Sequence, residues 1–148
     1  MMELSLIRTL HDKEFYEDHK GIKCPDKLFT KDVRKIKRVL DNAMEKYDRT
    51  ISTSELEALF FSEYSTMTTA NKVLYEGLFS KLRKEAPMSR DVASDVLSRM
   101  FRQHVGEQVA NLGFDYVNGN LTSLEPLRQV LEAHEDNFMP NMNVEWAD

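Results

Sequence analysis

Residues 30–47 of the chain read TKDVRKIKRVLDNAMEKY, and this stretch decides the fold class. Its apolar residues recur every three or four positions, which places them on one face of a helix of about five turns. Thr30 is predicted to cap the first turn with its hydroxyl, and Asp32 adds a favourable negative charge there. The apolar face consists of Val33, Ile36, Leu40, Ala43, Met44 and Tyr47. We therefore expect the main core helix here.

Helical spacing continues on both sides of this stretch. Before it, Leu4 and Ile7 indicate a first short helix, and Phe15 lies in a second one. After it, Ser52-Thr53-Ser54-Glu55 is a capping box, which predicts the start of a helix that buries Leu56, Leu59 and Phe60. Because 148 residues contain only five glycines and four prolines, these segments are rarely interrupted. The sequence predicts an all-α protein that begins with a small helical bundle.

Two longer helices are predicted to follow as a helical hairpin over about residues 68–117. Pro87 ends the first of them, and Ser89 is predicted to cap the second. Each helix carries apolar residues on more than one face, so we expect one face to be buried and another to bind a partner. The candidate hairpin interface consists of Leu78, Leu82, Val92, Val96 and Met100.

Asn118-Gly119-Asn120 is predicted to end the hairpin, because Gly and Asn tolerate the left-handed conformation that closes helices. This boundary separates an N-terminal bundle with its hairpin, 1–118, from a C-terminal part, 119–148. The C-terminal part is predicted to hold a linker helix over about residues 123–136 and an extended acidic tail. A short isolated helix is marginal in water, so it either packs back on the bundle or docks on another subunit. The candidate docking residues are Leu124, Leu127 and Leu131.

Composition limits the classes of function. Hydrophobic residues make up 41% of the chain and charged residues 30%, a globular balance, and the net charge of -5 argues against a dedicated nucleic-acid-binding domain. Cys24 is the only cysteine, which excludes an internal disulfide and suits the reducing cytosol. No apolar run approaches the roughly 18 residues of a membrane span. We expect a cytoplasmic protein without membrane contact.

Motifs for catalysis and metal binding are absent from the sequence. No Gly-x-x-x-x-Gly-Lys-Ser/Thr phosphate loop occurs, and no histidine follows a glutamate by three positions. The acids and histidines of residues 11–19 are scattered around a short helix, and Cys24 suggests a structural thiol. His104 and Glu107 form one conceivable proton-transfer pair, but an ordinary surface pair is the favoured interpretation because no nucleophile accompanies them. We predict no catalytic residue, no cofactor and no metal site.

A basic face runs along the core helix. Lys31, Arg34, Lys35 and Arg38 share one side of that helix, opposite the apolar one. This face is a candidate contact for phosphate or for an acidic partner. The favoured alternative is a solvated surface that Asp32 and Asp41 balance.

The order of these features resembles the amino-terminal domain of DnaB-type replicative DNA helicases, and the phage-encoded branch most closely in character. The likeness covers nearly the whole chain and rests on hydrophobic positions. It is carried by residues 6–12 with Phe15, by Leu28-Phe29, and by residues 51–56 with Leu59-Phe60. Two features depart from the family: Arg49-Thr50-Ile51 lacks the proline that often precedes the third core helix, and the RecA-like motor is missing.

The resemblance implies a non-catalytic assembly and recruitment domain of a hexameric helicase in the bacterial or phage-infected cytosol. Such domains pair through their hairpins, form a collar over the ring and bind primase or a helicase loader, while the linker helix packs against the neighbouring subunit's motor. The expected partners are therefore further copies of the chain, primase or loader, and that motor, with DNA contact at most weak and local. The ATPase is expected beyond Asp148. The alternative is a freestanding helical adaptor, such as a helicase loader or a phage regulatory protein.

Overall fold

The computed structural model describes residues 2–20, 24 and 26–133. Within these residues the chain forms seven α-helices and a short 3-10 helix, Asp26–Leu28, and no β-strand. The α-helices are α1 Met2–Thr9, α2 Lys13–His19, α3 Lys31–Lys46, α4 Thr53–Glu63, α5 Thr69–Lys84, α6 Arg90–Val117 and α7 Glu125–Ala133. The prediction of an all-α protein is confirmed.

The short helix α1 lies in the middle of the bundle and packs against α3, α5 and α6. Leu4, Leu6 and Ile7 are each at most 1% exposed, so the helix is buried on more than one side. A helix of eight residues has little stability of its own in water, and tertiary packing therefore supplies most of what holds α1 in shape.

Buried polar groups at the end of α1 connect it to the start of α4. The Nδ1 of His11 lies 2.7 Å from the Ile7 carbonyl, and its Nε2 lies 3.0 Å from Thr53 Oγ1. The same Thr53 oxygen accepts a 2.7 Å hydrogen bond from the guanidinium of Arg8. A neutral His11 that donates through Nδ1 and accepts the Thr53 proton at Nε2 satisfies every one of these groups.

Further polar groups of α1 hold the loop between α5 and α6. Ser5 donates a 2.9 Å hydrogen bond to the Glu85 carboxylate, and Arg8 Nε donates to the Glu85 carbonyl at 3.2 Å. Thr9 Oγ1 accepts from the Met88 amide at 2.9 Å and donates to the Ser5 carbonyl. These bonds compensate for the water that α1 loses on burial.

The core helix α3 forms where its pattern predicts, but it begins differently. Thr30 is the N-cap residue, yet its side chain makes no capping bond to α3. Its amide and its hydroxyl instead donate to the Glu3 carboxylate, at 2.7 and 3.0 Å. The predicted Thr30 cap is wrong because packing brings a carboxylate of α1 to this helix end, where it also complements the helix dipole.

The capping box at α4 is confirmed: Ser52 Oγ accepts from the Glu55 amide, and the Glu55 carboxylate accepts from the Ser52 amide, both at 3.1 Å. α4 then joins α5 through an aromatic cluster. The Phe60 ring lies 4.7 Å from that of Tyr75 and 5.3 Å from that of Phe79, centroid to centroid. These distances are typical of favourable aromatic pairs.

The two helices predicted as a hairpin, α5 and α6, are present with the expected order. Each packs against α1 more extensively than against the other, whereas α6 packs closely against α7. Ser89 precedes α6 as predicted but makes no capping bond with its side chain. The hairpin of α5 and α6 as a paired unit stays a prediction.

The end of α6 is confirmed at Asn118-Gly119-Asn120. Gly119 has a φ of 79°, and the amides of Gly119 and Asn120 donate to the carbonyls of Tyr116 and Asp115. This paired closure is a Schellman motif, and it requires the left-handed backbone that glycine tolerates best. The linker helix α7 follows, while its predicted end at residue 136 and the predicted tail lie outside the described residues.

The buried His11 predicts that the protein loses stability in mild acid. Burial, opposed by the hydrogen bond to Ile7 and aided by the charge of Arg8, lowers its pKa from 6.5 to about 4. The unfolded chain therefore takes up this proton at a higher pH than the folded chain. The stabilisation that comes from keeping His11 neutral should be fully present above pH 6.5. Its loss should lower the free energy of unfolding by about 3 kcal/mol as the pH drops to 4. Urea denaturation across this range measures the decrease.

A His11→Asn variant, whose amide keeps a donor for the Ile7 carbonyl, serves as the reference for this measurement. This variant should be less stable at neutral pH. Its free energy of unfolding should also change less with pH above about pH 5, where most carboxylates stay ionised. Equal slopes in the two proteins would contradict a neutral buried histidine.

Candidate interaction surfaces

The second half of α6 leaves the core of the bundle. No residue of α6 after Val105 is buried, and α7 contains no buried residue. We call this part, residues 106–133, the arm; it consists of the end of α6, the loop after it and α7. Phe114 and Val117 within it are 68% and 80% exposed. Of the nine exposed large apolar side chains in the described ranges, five lie on residues 106–133, so the arm presents more of them per residue than the other helices.

The predicted docking residues lie on this arm. α7 packs back against α6, while docking on another subunit stays a prediction. Leu124 and Leu131 nevertheless stay 48% and 45% exposed, while Leu127 is half-buried. Two of the three candidates are thus open to a partner even with the helix packed.

The predicted hairpin interface does not form one open surface. Leu82 is fully buried in the core of the chain, so its side chain is closed to a partner. Leu78, Val96 and Met100 are partly buried against the same core. Only Val92 of the five candidates is exposed, at 50%.

Phe114 and Val117 were missed in the sequence, although a signal for them exists. With 100° per residue, both lie on the opposite side of α6 from the buried Phe101 and Val105. Gly106 and Gly113 lie near the same exposed side, and an added Cβ at either would meet nothing within 4 Å. A helical glycine costs about 1 kcal/mol relative to alanine, and packing within the described residues does not explain this cost.

Folding removes one of the four predicted cations of the basic face of α3 from the surface. Arg34 turns back to donate to the Phe29 carbonyl at 3.1 Å, and its Nε is buried without a hydrogen bond among the described residues. Lys31 and Arg38 are exposed, and the Nζ of Lys35 lies 5.5 Å from the centre of the Tyr64 ring. Three of the four predicted cations therefore remain at the surface.

The side chains considered for catalysis or metal binding do not form a common site within the described residues. His104 is half-buried and Glu107 exposed, and no hydrogen bond joins the two. His19 stacks on the Phe15 ring and lies 3.1 Å from Ser94 Oγ. Within the described residues, no cluster of three or more potential metal ligands occurs. Burial raises the pKa of the Cys24 thiol to about 11, which makes it a weak nucleophile.

A cleft of about 380 Å³ lies where α1, the loop before α4 and the loop before α6 meet. Its exposed cation, Arg90, pairs with Asp12 at 3.0 Å and with Glu14 at 3.3 Å. Its other arginine, Arg8, is held by Thr53 and the Glu85 carbonyl. The charges that line this cleft are thus already engaged within the chain.

Comparison with known proteins adds no identification: no protein family, no curated protein and no solved structure matches this chain. Among the helices that the structure describes, none has both the length and the apolar character needed to cross a membrane.

Because Leu82 is buried and Val92 is exposed, truncation to alanine should destabilise the protein strongly at Leu82 and little at Val92. Leu82→Ala removes a fully buried side chain and should lower the free energy of unfolding by about 2–5 kcal/mol. Val92→Ala should change it by less than about 1 kcal/mol, because half of that side chain is already in water. Urea denaturation of both variants checks this assignment. Equal destabilisation would show that one of the two residues is misplaced.

Proposed function

We propose that this chain is a non-catalytic assembly and recruitment domain that binds other protein subunits through the arm. The observation that supports this proposal best is the exposure of Phe114, Val117, Leu124 and Leu131 in the arm, which contains no buried residue. Large apolar side chains that are exposed within one part of a domain often mark sites of protein association.

The free energy expected from burying these four side chains indicates how strong the association can be. Full burial of a Val, Leu or Phe side chain contributes roughly 1.5–3 kcal/mol, and association of two molecules costs roughly 4–15 kcal/mol. Four partly exposed side chains are therefore enough only for a weak pair by themselves. Several such contacts become effective together when copies close into a ring or are tethered to a larger subunit.

The narrower proposal is the one that the resemblance implies: the amino-terminal domain of a hexameric replicative DNA helicase, which forms a collar and binds primase or a loader. The order of the elements supports it, since a bundle is followed by a helix of 28 residues and then by a short helix packed against it. In this proposal α7 is the linker toward the motor.

Truncating the exposed apolar residues of the arm should weaken self-association without unfolding the chain. We expect light scattering to show dimers or larger oligomers at micromolar concentration. The double variant Phe114→Ser/Val117→Ser should shift this equilibrium at least tenfold toward monomer, since two apolar contacts are lost. Circular dichroism should show unchanged helix content, because both side chains already face solvent.

The matched control is Met2→Ser/Val73→Ser, which removes two exposed apolar side chains, 52% and 62% exposed, outside both the arm and the candidate hairpin interface. Its oligomeric state should equal that of the parent chain. Equal effects of the two double variants, or a strict monomer that binds neither primase nor a loader, would contradict a role of the arm in assembly.

The gene itself tests the narrower proposal. The reading frame downstream of the Asp148 codon is expected to continue into a phosphate loop, Gly-x-x-x-x-Gly-Lys-Ser/Thr, which an ATPase motor requires. A stop codon directly after Asp148 would favour the adaptor alternative.

A further inference from the structure

The exposed edge of α3 carries cations along the whole helix. Lys31, Lys35, Arg38 and Lys46 follow one another at intervals of four, three and eight residues, which keeps them within one narrow strip. We call this strip the basic edge. Neighbours three or four residues apart on a helix have Cβ atoms about 5–6 Å apart, so Lys31, Lys35 and Arg38 form a row of positive charge. Lys46 lies about 12 Å further along the same strip.

The acids of α3 that precede or adjoin this row point elsewhere. Asp32 accepts a 3.1 Å hydrogen bond from the hydroxyl of Tyr75. Asp41 accepts from the Tyr16 hydroxyl at 2.8 Å and pairs with the buried Lys37 at 2.9 Å. Asp32 is thus engaged by a tyrosine, and Asp41 by a tyrosine and by the buried Lys37, which lies outside the predicted basic face.

Three of the four cations of the row, all lysines, have no acidic partner in the part of the chain that the structure describes. Among the described residues, no carboxylate lies within ion-pair distance of Lys31, Lys35 or Lys46. The acid that remains on the exposed side of α3 is Glu45, at the end of the row next to Lys46. The first two turns of the basic edge are therefore its most positive part.

Two half-buried tyrosines adjoin the row. The Nζ of Lys35 lies 5.5 Å from the ring centre of Tyr64, and the Nζ of Lys46 lies 5.4 Å from that of Tyr47. These lysines lie over the ring faces, and Arg49 lies over the Tyr47 ring as well, at 5.9 Å. The rings therefore stabilise the cations at the surface, where their charge can meet a phosphate.

We propose that the basic edge of α3 binds the phosphate backbone of single-stranded nucleic acid. A row one side chain wide follows one strand, whereas duplex recognition inserts a helix into the major groove and reads bases mainly through arginine or amide side chains. Three of the four cations are lysines, which act on phosphate as point charges. The contact is independent of the arm and adds a second binding surface to the chain.

The salt dependence of binding to an oligothymidylate tests this proposal. Fluorescence anisotropy with a labelled strand of about twenty nucleotides should show binding at low ionic strength. Contacts with three phosphates predict a logarithmic salt slope of about -2, since each contributes about 0.7 for single strands. Lys31→Glu/Lys35→Glu should weaken binding at least tenfold and reduce the slope.

The matched control is Lys81→Glu/Lys84→Glu, which makes the same charge change at exposed positions of α5. This variant should keep most of the affinity, and circular dichroism should confirm that both variants are folded. Absence of binding at low salt, or equal losses in both variants, overturns the proposal. Competition by poly-glutamate as effective as that by the oligothymidylate, charge for charge, also overturns it and assigns the edge to an acidic protein segment.

Discussion

The structure depends on the burial of one short helix, α1, whose eight residues include four polar or charged side chains. Thr9 is buried and the other three are partly buried, so most of their hydrogen bonds must come from the protein. The solution is a set of hydrogen bonds that reach out of the helix. Arg8 bonds Thr53 at the start of α4, while Ser5 and Thr9 bond Glu85 and Met88 between α5 and α6. Each of these bonds fixes a distant segment, so the demand for satisfied polar groups positions the rest of the bundle.

This central position of α1 explains why the two longest helices behave differently along their lengths. α5 and the first half of α6 pack against α1 and contribute Phe79, Leu82 and Leu97 to the core. Beyond Val105, α6 has no buried residue, and α7 packs against α6. The apolar residues of the arm are exposed because the bundle ends there. The proposed assembly role follows from this geometry.

Charge is distributed by the same packing. Asp32, Asp41 and Glu3 each turn toward a tyrosine, a buried lysine or a helix end, and none of the three is used to neutralise an exposed lysine of α3. A buried or half-buried hydroxyl or ammonium gains more from a carboxylate than a solvated lysine does, because water already stabilises the latter. Folding therefore concentrates positive charge on the basic edge of a chain whose net charge is negative.

The sequence by itself determined the local structure. Apolar spacing predicted the all-α class and α3, the capping box predicted the start of α4, and Asn118-Gly119-Asn120 predicted the end of α6, because these signals act between residues a few positions apart. Which apolar residues are buried was decided only by tertiary structure. Leu82 and Val92 look alike in the helical pattern, and Phe114 looks like a core residue, yet their exposure depends on how far the bundle extends along each helix. The hydrogen-bond partners of Thr30, Asp32 and Arg34 could not be predicted from the sequence either. The groups that bind them are brought close only by the packing of the folded chain.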